Sequence, residues 1–129
     1  MAANCVMTAE TCVQYTIFQG NTGPVLKPRP SVLDDVTVLD ADWHCYIAAN
    51  NADGTVAIAS REVTDKTVDN LRWIAALTPA ETETLTVNAE DESVGYKVII
   101  KVVNATTTPS FEVDYEYILF VKPQGMPSV

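Results

Sequence analysis

Histidine is almost absent from this sequence, and glycine is scarce. The 129 residues include one histidine, His44, and five glycines. Neither a G-x-S-x-G elbow nor a G-x-x-x-x-G-K-[ST] phosphate loop occurs, so two common signatures of catalysis and nucleotide binding are missing. Any nucleophile–base–acid set would have to use His44 as its base. We therefore predict that the protein is not an enzyme.

Cysteine and histidine do not occur at the spacing of a metal site. The three cysteines are Cys5, Cys12 and Cys45, and they form no C-x-x-C pair. A zinc site needs three or four ligands at recognisable spacing. His44 and Cys45 are neighbours on a predicted strand, where successive side chains point to opposite faces. We expect a buried Cys45 beside a solvent-side His44, and we predict no metal or other cofactor.

Basic residues are few, and long apolar runs are missing. The sequence contains eight Lys and Arg residues and 17 Asp and Glu residues, which gives a net charge of −9. Such a surface repels phosphate backbones and anionic lipids, so we predict no direct nucleic-acid or membrane partner. No apolar run reaches the roughly 18 residues that cross a bilayer. The first residues lack the pattern of a secretory signal, so we expect synthesis in a cytosol.

Apolar residues, by contrast, are abundant enough for a folded core. Hydrophobic residues make up 47% of the chain and charged residues 19%, a composition typical of a globular domain. The length suits one ordinary domain. We predict a single domain over 1–129, with its core at about 12–122 and short extensions at both ends.

Alternation of period two predicts most of the strands. In the segment Phe111–Val121, apolar and acidic residues alternate, which is typical of a half-buried strand. Ile118 and Phe120 are apolar on the second face, so the end of this strand is expected to be covered on both sides. The segment Gly95–Asn104 alternates in the same way and forms the preceding strand of a hairpin.

Further strands are predicted upstream. The segment Cys12–Phe18 is one, and Trp43–Val63 indicates strand, turn and strand, with the turn at Asp53-Gly54. Trp43 lies on one alternating strand and Trp73 on another. Both tryptophans suit a core, but Trp is also enriched at binding hot spots, so the sequence leaves the two interpretations open.

A strand followed by a short helix is predicted in the segment Leu71–Leu85. Leu71, Trp73, Ala75 and Leu77 share one face, and Thr78, Pro79 and Glu81 then form a capping box with proline at the first helical position. The helical turn is predicted near Pro79–Thr84. Together these signals predict an all-β fold: an immunoglobulin-like antiparallel β-sandwich of about seven strands with one short helical turn.

The order of these signals resembles a known family. A first strand runs into "FQGNT" (Phe18–Thr22), a later one ends in "LTPAET" (Leu77–Thr82), Leu85 follows, and "GYKV" opens the next strand at Gly95. This order resembles the small Ig-like modules of tailed-bacteriophage virions and is similar to the N-terminal domain of the baseplate upper protein family, over about 12–122.

The resemblance implies a structural virion protein, a tail, neck or baseplate adaptor that acts by docking in many copies. An alternative is a capsid decoration protein that clamps major capsid subunits. A carbohydrate-binding β-sandwich is a third interpretation, which exposed aromatic residues on a concave face and a metal would support. The implied location is the virion, and the implied partners are other virion structural proteins, with a homo-oligomer in the particle.

Proline-containing segments are the predicted contact regions. Proline cannot donate to a strand ladder, so such segments are excluded from a sheet interior and are free to lie across a neighbour. We expect the ends, residues 1–10 and 123–129, to carry part of this contact. The predicted interface residues are Pro24, Pro28, Pro30, Pro123 and Pro127.

Overall fold

The chain is mostly β, as predicted. A computed structural model describes residues 13–30, 32–34, 36–85, 94–106 and 111–123. The elements in these ranges are β1 (Gln14–Phe18), β2 (His44–Asn50), β3 (Val56–Glu62), α1 (Pro79–Glu83), β4 (Val94–Asn104) and β5 (Phe111–Lys122). No helix in the described ranges has the length or apolar character to cross a membrane.

The five strands form one mixed sheet in the order β1-β5-β4-β2-β3. The predicted hairpins β2–β3 and β4–β5 are antiparallel, and β4 also pairs antiparallel with β2. β1 pairs with β5 in parallel, so the prediction of a purely antiparallel fold is wrong at this edge. No tight turn joins β1 to β5, and nothing local therefore constrains their direction.

One face of the sheet packs on a second layer of extended chain. The sheet contributes alternate residues of β4, such as Tyr96, Val98 and Ile100, which are at most 1% exposed. The other layer contributes seven buried apolar residues: Leu39, Trp43, Val63, Trp73, Ala75, Leu77 and Leu85. Trp43 and Trp73 are 8% and 1% exposed, so both are core residues.

The second layer is irregular where a strand was predicted. Trp73, Ala75 and Leu77 are buried in the predicted alternation, yet only isolated bridges occur, Leu26 with Ala75 and Lys66 with Trp73. The segment beside this stretch contains prolines without an N–H, so a continuous ladder is impossible. The described residues contain five regular strands where about seven were predicted.

The short helix closes one end of the core, and its predicted capping box is confirmed. The Thr78 hydroxyl accepts from the Glu81 N–H, and the Glu81 carboxylate accepts from the Thr78 N–H. The helix ends at Glu83, with Thr84 as its cap. Thr82 is fully buried and donates its hydroxyl to the Asn21 carbonyl at 2.7 Å, which holds the helix against the chain that follows β1.

Candidate interaction surfaces

The sheet has a second face, directed away from the core, which we call the open face. Strand register brings Tyr46 of β2, Lys101 of β4 and Asp114 of β5 into one row across the sheet. Ala48 and Ile99 lie opposite each other in the next row. All five residues are partly exposed, so this region presents a small apolar centre between polar and charged side chains.

A groove of about 450 Å³ lies over these rows, and we call it the open-face groove. The small side chains of Ala48 and Ser60 leave room for it. The β2–β3 pairing shifts register on both sides of Ala49, and such bulges bend a strand locally. The groove is lined by Tyr46, Ile47, Ala48, Asn50, Ser60, Ile99, Lys101 and Asp114.

Several polar groups of this groove are left without a partner. Within the described part of the chain, the Tyr46 hydroxyl, the Asn50 amide and the Ser60 hydroxyl make no hydrogen bond. The Asp114 Oδ1 atom is shielded from solvent and also has no hydrogen-bond partner among the described residues. Buried polar atoms are normally hydrogen-bonded. A shielded carboxylate oxygen without a hydrogen bond, beside a groove, is therefore an exception to this rule.

The charges around the groove are arranged in pairs. Lys101 Nζ lies 2.9 Å from Glu112 Oε2, and Lys97 Nζ lies 3.5 Å from Glu116 Oε1. The hydrogen bond with Glu112 raises the pKa of Lys101, and the nearby Asp114 charge adds to this effect. The two lysines face three carboxylates here, those of Glu112, Asp114 and Glu116, so this part of the surface carries one net negative charge.

His44 lies beside the groove, and Cys45 points into the core. His44 Nδ1 is 2.7 Å from Glu62 Oε2, and the imidazole stacks near Tyr46 with ring centroids 6.4 Å apart. Cys45 is buried, and this burial, together with the Glu62 charge, raises its pKa to about 12. The predicted orientation of the two residues is confirmed.

This imidazole–carboxylate pair has no assembled reaction partner in the described residues. Glu62 is the one described side chain that hydrogen-bonds to the His44 ring, and no described hydroxyl or thiol lies within hydrogen-bond distance of it. The described ranges also contain no group of three His, Cys, Asp or Glu side chains placed to hold a metal ion.

A second candidate surface is formed by four exposed valines on two loops, and we call it the valine end. Their exposed fractions are 63% for Val32, 79% for Val36, 51% for Val38 and 103% for Val68. The two loops meet where the Leu39 N–H donates to the Asn70 carbonyl at 2.9 Å.

Arg29 fixes the first of these loops. Its guanidinium donates to the carbonyl oxygens of Leu71 at 2.5 Å, of Thr37 at 3.0 Å and of Asp34. One planar group therefore connects the backbone at Asp34 and Thr37 to the distant backbone at Leu71, while the neighbouring valines lie in solvent.

Acidic side chains surround the valine end and stay ionised. The Thr37 hydroxyl and the Val36 N–H lower the pKa of Asp34, and the Thr67 hydroxyl and the Leu71 N–H lower the pKa of Asp69. The nearby cation Lys66 donates inward to the Leu39 carbonyl at 3.5 Å. The surface therefore combines apolar contact area with negative charge.

The predicted interface prolines lie mostly in the second layer. Pro24 and Pro28 are half-exposed, and the Pro28 carbonyl accepts from the Trp73 N–H. Pro30 is under 2% exposed, so its ring packs inside the chain, whereas the predicted contact role of these prolines stays a prediction. Pro123 is partly exposed at the end of the described chain, while Pro127 and residues 1–10 lie outside the described ranges.

Neither surface was identified from the sequence. The groove depends on the register of four strands, which sequence alone does not fix. Three of the four valines do carry a signal, because "SVLDDVTVLD" places them among acids without a strand-like alternation. No protein-family model matches this chain, and no curated protein sequence matches it.

Proposed function

We propose that this protein is a structural docking protein of a tailed-bacteriophage virion, a tail, neck or baseplate adaptor that contacts other virion proteins through the valine end. The observation that supports docking is the 51–103% exposure of four valines on loops that are held by internal hydrogen bonds. Exposed apolar patches on otherwise soluble domains mark interaction sites.

The energetic argument rests on the fixed loops. Each apolar Å² buried against a partner contributes about 25 cal/mol. Ordering a mobile loop on binding would cost part of that gain, whereas the Arg29 contacts hold this loop in place before a partner arrives. Many copies in one particle would add avidity to a weak single contact.

The resemblance in the segments Phe18–Thr22 and Leu77–Thr82 supports the virion as the setting. We also propose that the irregular layer bridged at Leu26 and Ala75 corresponds to the second sheet of an immunoglobulin-like sandwich. The acids around the valines favour a partner surface with Lys or Arg around an apolar centre. The affinity between the protein and this partner should therefore fall as the salt concentration rises and screens the charges.

The test is incorporation into particles. Variants Val36→Gln and Val68→Gln are supplied to a phage that lacks its own copy of the gene, and the protein is quantified by mass spectrometry of purified particles. Val56→Gln, at a 67% exposed valine on β3, is the matched control. We expect at least a tenfold loss for the first two variants at unchanged melting temperature, and normal incorporation of the control.

Three outcomes count against this proposal. Absence of the parent protein from purified particles would refute the virion role, and equal incorporation of all three variants would refute the valine end. Imaging of labelled particles gives the position, and label confined to the capsid shell would replace the adaptor with a capsid decoration protein.

A further inference from the structure

We propose that the open-face groove is a binding site for a neutral carbohydrate. This inference does not depend on the proposed docking function, because the groove and the valine end use different residues. It rests on the polar groups that the fold leaves without partners around an apolar floor.

The groove offers hydrogen-bonding groups of both kinds. The hydroxyls of Tyr46 and Ser60 and the amide of Asn50 each donate and accept, and none has a hydrogen bond within the described part of the chain. Polar side chains in the loops behave differently, since Asp53 accepts from both the N–H and the hydroxyl of Thr55. The groove therefore keeps hydrogen-bonding capacity that the described residues do not use internally.

Asp114 adds an acceptor. Its Oδ1 atom is shielded and lacks a hydrogen bond, which is a costly state for a carboxylate. The χ2 torsion of Asp is broad, so a small rotation can turn a carboxylate oxygen towards the groove. A ligand hydroxyl that donates there would satisfy an acceptor that the described residues leave unsatisfied.

The charges favour a neutral ligand. Lys101 and Asp114 are the two charged residues that line the groove, and because their charges are opposite, the lining itself carries no net charge. The net charge of −9 further disfavours phosphates and other anions.

The shape favours a sugar over a peptide. Ala48, Ile99 and the Tyr46 ring offer apolar contact to the C–H face of a sugar ring. Beneath the centre of the groove, the backbone groups are already paired in the ladders of β2 with β4 and of β4 with β5, so the groove floor offers no strand edge to an extended peptide. The edge strand β3 contributes only Ser60 to the lining. The volume of about 450 Å³ lies within the range of small-ligand sites.

The experiment is a titration of the isotope-labelled full chain with maltose, cellobiose, lactose and diacetylchitobiose at millimolar concentrations, followed by NMR. We expect at least one disaccharide to cause saturable shifts of the amide signals of β2 near Tyr46 and of β4 near Ile99. Saturable binding with shifts confined to other parts of the chain, or no saturable shift with any of the four sugars, would overturn the proposal.

Variants then test the residues. Tyr46→Val should lower the affinity for the sugar at least tenfold. Phe18→Ala, at a 45% exposed aromatic residue on β1, should leave this affinity unchanged. Ser60→Lys fills the groove from an exposed edge position and gives the same test should Tyr46→Val fail to fold. Unchanged sugar affinity in Ser60→Lys would overturn the assignment of the binding site to this groove. Saturable binding of an extended peptide in the groove, with no binding of any of the four sugars, would overturn the assignment of the ligand.

Discussion

Arg61 of β3 and Glu81 of α1 form a two-point ion pair. Arg61 Nε lies 2.6 Å from Glu81 Oε2, and Arg61 Nη2 lies 2.9 Å from Glu81 Oε1. The same Oε1 accepts the Thr78 N–H at 2.9 Å, and Arg61 Nη2 also donates to the Ala76 carbonyl. One carboxylate therefore caps the helix and connects it to the edge strand of the sheet.

Replacement of Glu81 should destabilise the fold more than replacement of its neighbour Glu83. Glu81→Gln keeps a capping-box side chain but removes the charge that Arg61 contacts. We expect a loss of about 1 kcal/mol at neutral pH, since the pair is partly exposed. Glu83→Gln changes the same charge on the same helix, and no described side chain contacts its carboxylate. Denaturant unfolding of both variants measures the difference.

The same pair predicts a pH dependence. The hydrogen bonds from Arg61, with a smaller contribution from the Thr78 N–H, lower the pKa of Glu81 below its ordinary value of 4.5. A carboxyl with a lowered folded-state pKa stabilises the fold above its unfolded pKa and loses this contribution as pH falls through the folded pKa. The stability gap between parent and Glu81→Gln should therefore shrink below about pH 4.5. A gap that stays constant down to pH 2 would contradict the assignment.

Local patterns predicted the local structure well. The alternation in β4 and β5 and the capping box at Thr78 act through neighbours in sequence, so these elements appear where they were expected. Ile118 is fully buried and Phe120 half-buried on the second face of β5, as their apolar character indicated.

Features that depend on distant contacts were not predictable. β1 pairs with β5 in parallel although the two strands are separated by nearly the whole sequence, and no turn motif indicates the direction of this pairing. The row Tyr46, Lys101 and Asp114 arises from two separate strand registers. The valine end depends on Arg29 contacts to the distant Leu71 carbonyl, and a pattern search along the sequence does not detect such contacts.

Replacement of Trp73 by alanine should cost about 3–5 kcal/mol of the free energy of unfolding. The side chain is 1% exposed and belongs to the same buried core as Ala75 and Leu77. Thermal and denaturant melts measure the loss, and Phe18→Ala, at 45% exposure, should show only a small part of it. A Trp73→Ala protein that melts like the parent would contradict its placement in the core.

Cys45 should resist alkylation in the folded protein. Burial is the main reason that its pKa is raised to about 12, so almost no thiolate exists at pH 8. We expect iodoacetamide to leave Cys45 unmodified in native protein and to modify it in urea, with peptide mass spectrometry distinguishing it from Cys5 and Cys12. Rapid modification of Cys45 under native conditions would show that this part of the core opens readily.

Arg29 provides the most direct test of how the valine end is held. A lysine at this position keeps the charge, but an ammonium group does not match the planar fork that reaches the carbonyls of Leu71, Asp34 and Thr37 together. Arg29→Lys should therefore release the loop without changing the net charge.

The expected result of Arg29→Lys is faster hydrogen exchange at two amides, the Thr37 N–H that donates to Asp34 and the Leu39 N–H that donates to Asn70. Amides of β4 should exchange as in the parent, because the sheet ladder does not involve Arg29.

The loss of charged hydrogen bonds in Arg29→Lys should lower the free energy of unfolding by about 1–2 kcal/mol. Arg72→Lys is the control, since Arg72 is exposed and its guanidinium makes one hydrogen bond with the described residues, to the Lys27 carbonyl at 2.9 Å. If docking depends on a preformed loop, Arg29→Lys will also incorporate poorly into particles while Arg72→Lys incorporates normally. If Arg29→Lys exchanges faster but incorporates normally, docking does not depend on a preformed loop. If its exchange is unchanged, Arg29 does not hold the loop.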